Sequence, residues 1–392
     1  MNQNKLVQLQ TILQEMVDTK FISGVSCMVL QDGKELCYYE AGLRDIANKL
    51  PMTRDTICRM YSMTKPITAT AAMILIEEGK LDLLDPVSKF LPGFENQHIL
   101  VNGMPVPVTR PVTIQHLLNM TSGLVYPGEG NPAEVRTSIL MEEIIEKLES
   151  KQPLTTLEIM NRLGQLPLAF NPGEKWQYGM SADVLGAVIE VVSGVRFGEF
   201  LSERIFKPLG MKDTGFYVPA DKQNRLAKVY RTTANDLEEF FIPHLGIQNK
   251  MEFAPAFESG GAGLVSTIDD SARFTQMLLN KGSLDGVNVL APKTVEFMTT
   301  AHITEAQQKY VSEWENLPGH TYANLLRILK DPEAAVFLGS KGEYGWDGWL
   351  GTYMMNDPVH NLTLLIMHQK TDSGTTTYTR RMRNVVFSAL EY

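Results

Sequence analysis

Apolar residues at Leu6, Leu9, Ile12, Leu13, Met16 and Val17 recur every three to four positions, which predicts an opening helix with one apolar face. The pattern then changes. Val25-Ser26-Cys27-Met28-Val29-Leu30 and Leu36-Cys37-Tyr38-Tyr39 flank Asp32-Gly33, a pair that favours the left-handed backbone of a tight turn, so this stretch reads as a β-hairpin. Residues 67–76 (Ile67-Thr68-Ala69-Thr70-Ala71-Ala72-Met73-Ile74-Leu75-Ile76) lack a polar face and predict a buried helix, closed by Glu77-Glu78-Gly79. A second buried helix is expected over 182–192, ending at Ser193-Gly194, and a third after Thr267, a candidate N-cap. Between them, 126–165 is polar and helical, a surface excursion and candidate lid, while 212–249 is irregular. Short apolar runs at 336–338, 351–355 and 362–367 predict strands, and a final helix begins near Thr377.

Strand hairpin, long helical middle, strands and helix together predict an α+β protein: one antiparallel sheet built from both chain ends, flanked by helices, with a helical insertion between. The expected division is 1–60 with 255–392 as an α/β domain, and 61–254 as a mostly helical domain. With 392 residues, 44% of them hydrophobic, the chain can bury a large core. A net charge of −9 and the lack of a basic cluster argue against a nucleic-acid surface. Cys27, Cys37 and Cys58 cannot all pair and have no metal-ligand spacing, which suggests buried thiols in a reducing compartment. The N-terminus shows an amphipathic pattern rather than an apolar signal core, and no stretch reaches membrane-spanning length; a cytoplasmic protein without membrane contact is expected.

The candidate chemistry lies just before the first buried helix, in Tyr61-Ser62-Met63-Thr64-Lys65-Pro66. Pro66 costs no hydrogen bond in a first turn, so Ser62 is expected at or near the N-cap, with Lys65 one turn on along the same face. A serine hydroxyl is a weak nucleophile until a base takes its proton. The helix dipole and apolar neighbours both disfavour an ammonium there, which pushes Lys65 toward the amine that can act as base. The same four residues are equally an ordinary N-cap and a solvated lysine, and only further groups decide. No other serine has a lysine three residues on. Proton transfer to a leaving atom and donors for an oxyanion are also required. Tyr178, on a loop after Pro172-Gly173, and the glycine-containing Tyr344-Gly345-Trp346-Asp347-Gly348-Trp349-Leu350-Gly351 are the candidates.

These stretches resemble the serine β-lactamase/penicillin-binding-protein-like superfamily, nearest to class C-type members and the family VIII carboxylesterases. Ser62-Met63-Thr64-Lys65 matches its first motif, Tyr178-Gly179-Met180 the position of its Tyr-x-Asn, and Trp346-Asp347-Gly348 its Lys-Thr-Gly, often Trp-x-Gly in the esterases. Residues 112–124 and 259–267 resemble two further shared blocks, in family order. The resemblance implies a β-lactamase/transpeptidase-like fold, Ser62 as acylated nucleophile and Lys65 as base. It further implies Tyr178 as proton shuttle, as a phenolate or bonded to Lys65, and an oxyanion hole from the N–H groups of Ser62 and Trp349. Trp346, Asp347, Gly348, Met180 and Tyr126 would bind substrate, and no cofactor or metal is implied. Met180 replaces an asparagine that helps hold the acylamide chain of β-lactams, and Trp346 a lysine that helps bind their carboxylate. Asp347 adds an anion beside it. Both departures favour a small-molecule ester, with short acyl chains expected over long, above β-lactams or D-peptides. An acyltransferase passing the acyl group to a small-molecule hydroxyl is the alternative, and a non-catalytic binding protein the distant one. His116 and His368 read as structural, no Gly-x-Ser-x-Gly is present, and Asp269-Asp270 read as first-turn helix acids.

Overall fold

A computed structural model describes residues 1–234, 236–314 and 316–391. Its main sheet has eight antiparallel strands: β1 (Gly24–Gln31), β2 (Lys34–Asp45), β3 (Leu50–Pro51), β4 (His320–Ala323), β5 (Leu326–Leu329), β6 (Tyr344–Asp347), β7 (Tyr353–Asp357) and β8 (Leu362–His368). Their order is β4-β5-β6-β7-β8-β1-β2-β3, so strands from the two chain ends meet where β1 pairs with β8, Val25 opposite His368 and Gln31 opposite Leu362. The β1–β2 turn has Asp32 at φ 51° and Gly33 at 73°, the conformation that Asp-Gly supplies at low steric cost.

Six helices position the rest: α1 (Gln8–Asp18), α2 (Thr64–Glu77), α3 (Pro132–Lys147), α4 (Ser181–Ser193), α5 (Ile268–Leu279) and α6 (Thr377–Ser388). Side chains alternate along β1 and send each face to a different core. Val25, Cys27 and Val29 pack with Leu9, Leu13 and Met16 of α1 and Met382 and Val386 of α6. Met28 and Leu30 join the larger core that contains α2 and α4. That double burial is why β1 and β8 read as unbroken apolar runs. In α2 every residue from Thr64 to Leu75 is buried, which accounts for its lack of a polar face. No helix among the described residues is long and apolar enough to cross a membrane.

Two strand expectations need correction, and strands β4, β5 and β6 were not expected. Val336-Phe337-Leu338 is a loop: Val336 and Leu338 face solvent, and only the Phe337 ring is buried, under the Arg383 guanidinium. Tyr344–Asp347 is itself a strand, and the strand expected at 351–355 begins at Tyr353, after a turn over 348–351. The hairpin β4–β5 carries no turn signature, because its corner, Asn324-Leu325, places a leucine at φ 64°.

The C-terminal helix is tied to the sheet by a buried ion pair. Arg383 donates to both Glu343 oxygens at 2.6 Å and to the Tyr353 hydroxyl at 2.7 Å, with both charged side chains at most 1% exposed. Removing one partner strands the other charge, so Arg383→Ala is expected to lower unfolding free energy by about 3–5 kcal/mol. Urea denaturation monitored by circular dichroism checks this; a loss below ~1 kcal/mol would contradict it.

Candidate active site

The polypeptide enters α2 through a 3₁₀ turn, Tyr61–Met63, in which Tyr61 has φ 45°. A buried aromatic residue in the left-handed region is strained, and such strain persists only where surrounding contacts hold it. Here Met60 N–H donates to Leu264 O at 2.8 Å, Thr352 Oγ1 donates to Met60 O at 2.9 Å, and the Tyr61 ring packs edge-on against Trp349. Ser62 is therefore not the helix N-cap: α2 starts at Thr64, Met63 holds the cap position, and no side chain caps it. The turn projects Ser62 into a cleft instead.

Lys65 Nζ lies 3.0 Å from Ser62 Oγ, 2.9 Å from Tyr126 OH and 2.8 Å from Gly261 O. The amine is wholly buried, and burial lowers its pKa to about 7, against the opposing pull of the Asp183 and Asp347 carboxylates. Burial thus disfavours the ammonium and brings the neutral amine within reach near neutrality. Its acceptor Gly261 belongs to the 259–267 stretch, which lies along α2 where Thr68 Oγ1 donates to Gly260 O and Leu264 N–H donates to Thr64 Oγ1. A Cβ on Gly261 would stand 2.5 Å from Asp183 Oδ2, so only glycine lets this backbone reach both Asp183 and Lys65. Asp183 accepts from Ser259 Oγ at 2.5 Å and Gly261 N–H at 3.1 Å, and burial raises its pKa.

Tyr178 accepts from Trp346 Nε1 at 3.0 Å, and its ring lies 4.6 Å from Lys65 Nζ. Burial raises the phenol, outweighing the lowering contributions of Ser62 and Trp346. The expected Lys65–Tyr178 hydrogen bond is made by Tyr126 instead, whose hydroxyl is also pushed well up by burial. The two tyrosine rings pack 5.6 Å apart. At the end of β6, Gly348 passes so close to the nucleophile turn that a Cβ would stand 2.3 Å from Met60 O. Beyond it the Trp349 N–H, like that of Ser62, has no acceptor among the described residues. Both are available to an oxyanion.

The cleft above Ser62 encloses about 480 Å³ between Tyr126 and α3 on one side and Tyr61, Trp349 and 243–245 on the other. Of the expected substrate-binding residues, Tyr126 lines it. Met180 does not: its side chain is 2% exposed and part of the helical core, because the residue sits at the N-cap of α4. Trp346 is buried behind Tyr178, and Asp347 accepts from Thr375 Oγ1 at 2.8 Å. Sequence reading missed the Trp349 side chain, His244 and Asp183. His244 stacks on Trp349 at 4.0 Å from a loop with no periodicity, and Asp183 looks like any first-turn helix acid. His116 closes a capping box with Thr113, and His368 packs beneath Gly351; burial holds them at about 4 and about 3, so both are neutral at pH 7.

Known proteins are similar to this chain over nearly its whole length. An uncharacterized protein of Mycobacterium tuberculosis is 35% identical over 92% of this chain and 89% of its own length. Esterase EstB of Burkholderia gladioli is 31% identical over 92% of this chain and 89% of that protein. Among solved structures, EstCE1, described as a hydrolase with promiscuous acyltransferase activity, superposes with a TM-score of 0.82 at 28% identity, covering 98% of this chain and 99% of that one. The Beta-lactamase family matches residues 9–386, and the chain belongs to that family.

Proposed function

We propose that this protein is a serine carboxylesterase working through an acyl-enzyme on Ser62. The observation that carries the reading is the 3.0 Å contact between Ser62 Oγ and the buried Lys65 amine, whose pKa of about 7 suits a general base at neutral pH. In the first half-reaction Lys65 Nζ takes the Ser62 proton as Oγ forms a bond to the ester carbonyl carbon. The carbonyl oxygen, now an oxyanion, is held by the Ser62 and Trp349 N–H groups. Collapse breaks the bond to the alcohol oxygen, which takes the proton of the neutral Tyr178 hydroxyl, and Lys65, whose Nζ lies 4.6 Å from that ring, returns the proton it took to the Tyr178 oxygen. Water repeats the sequence on the acyl-enzyme and releases acid and free Ser62. The ester preference is supported by EstB and EstCE1 and by this site's own chemistry. In the motif that the sequence resembles, Trp346 replaces the lactamases' lysine, so a cation that would bind a substrate carboxylate is missing there.

Acyl transfer to an alcohol is the second reading. It is favoured by the apolar walls of the cleft, which raise the local share of an alcohol over water, and by the promiscuous activity named for EstCE1. Intact-mass spectrometry during turnover of p-nitrophenyl acetate tests the common step. An acetyl adduct that maps to Ser62 and decays faster when butanol is added is expected. No adduct together with no ester turnover, or nitrocefin turnover equal to ester turnover, would overturn the esterase reading.

A further inference from the structure

The cleft does not end at its lining. Helix α3 contributes Ser138, Met141, Glu142 and Ile145 to one wall. Val135 and Ile139 each lie three residues before a wall residue, Ser138 and Glu142, and four apart, so helical geometry sets them along the edge of that wall. They are 44% and 53% exposed. The opposite wall, Pro243-His244-Leu245, is directly preceded by Phe241 and Ile242, 68% and 59% exposed.

This loop is braced. His244 and Ile247 exchange backbone hydrogen bonds of 3.2 and 3.0 Å around Leu245 and Gly246, both at positive φ. His244 stacks on Trp349, and a Cβ on Gly246 would stand 3.0 Å from Ile144 of α3. Four large apolar side chains therefore stand exposed at positions that directly precede, in the helix or along the chain, residues of the cleft's walls. Single exposed apolar residues are ordinary, but a set continuous with a concave site marks a binding surface. A cleft of about 480 Å³ is also sized for a drug-like molecule, and an acetyl group fills little of it.

We propose that the substrates are esters with a large apolar group, an alkyl chain of about eight carbons or more. Its far end lies between Phe241 and Ile242 on one lip and Val135 and Ile139 on the other. The proposal rests on the reading of Ser62 as the acylated residue, and it replaces the expectation of short acyl groups only where the acyl half is the one that lies in the cleft. The net charge of −9 and the exposed Glu142 on the same wall oppose an anionic lipid surface as the occupant.

Two substrate series test it, each below its aggregation limit: p-nitrophenyl esters from acetate to decanoate, and acetates of linear alcohols from ethanol to decanol. In at least one series kcat/KM is expected to rise at least about tenfold from two to eight carbons, with about fourfold per buried methylene as the ceiling. The rising series identifies whether the acyl or the alcohol half lies in the cleft. Phe241→Ser with Ile242→Ser, and separately Val135→Ser with Ile139→Ser, should cut the eight-to-two-carbon ratio about tenfold, mainly through KM. A flat or falling profile in both series, or a ratio unmoved in both double variants, overturns the proposal. So does a stable dimer that these substitutions dissociate, since a second copy would then cover the lips. Absence of turnover at every chain length with Ser62 intact would instead remove the esterase reading beneath it.

Discussion

Ser62→Ala and Lys65→Ala are each expected to lower kcat/KM for a neutral ester by about 10⁴-fold or more, with the double variant no worse than either single one. Non-additivity follows from their dependence on each other: without Oγ there is no nucleophile, and without Nζ the hydroxyl, 3.0 Å away, keeps its proton. The wild-type pH profile carries the sharper test. Burial lowers Lys65 to about 7, and the base must be the neutral amine. Activity should therefore fall about tenfold per pH unit below pH 7 and level off above it. The Asp183 and Asp347 carboxylates favour the ammonium, so Asp347→Asn should move this limb to lower pH. A limb that stays in place, or a profile flat from pH 5 to 8, would count against Lys65 as base. Folding is checked by thermal melts, because a methylene chain at position 65 is fully buried.

The parts of this site that sequence exposes are those bound to local pattern. Ser62 and Lys65 are one turn apart on a helix entrance, and the apolar run behind them needs no tertiary information to be read as buried. The strained turn at Tyr61 is invisible to such reading, since φ there is set by contacts to Leu264 and Thr352, some 200 and 290 residues away. Strands β4 and β5 were hidden for a similar reason: Leu325 adopts a turn conformation that its side chain does not announce, because long-range packing buries it completely. Met180 failed in the opposite direction. A match to a motif position placed it at the substrate, whereas the start of α4 turns its side chain into the core. The His244 loop belongs to neither pattern, and only its stacking on Trp349 brings it to the cleft.

Tyr178→Phe is expected to lower kcat/KM for an ethyl ester by about 10³-fold but for a p-nitrophenyl ester by only about tenfold. The asymmetry follows from the state of the phenol. Burial raises Tyr178 despite Ser62 and the Trp346 N–H, which favours the neutral phenol, able to donate a proton, over the phenolate base that motif matching allows. A donor matters when the leaving group is a strongly basic alkoxide and matters little when it is a stable phenolate. A different effect is expected of Tyr126. Its hydroxyl holds Lys65 Nζ at 2.9 Å, where it accepts from the ammonium and stabilises the charged form. Tyr126→Phe should then cost about tenfold with both leaving groups and shift the acid limb of the profile to lower pH, an effect absent from Tyr178→Phe. If the dependence on leaving group followed Tyr126 and the pH shift followed Tyr178, the two roles would be exchanged. The proton would then run from Ser62 through Lys65 to Tyr126 along the hydrogen bonds already in place, leaving Tyr178 to wall the cleft beside Trp346.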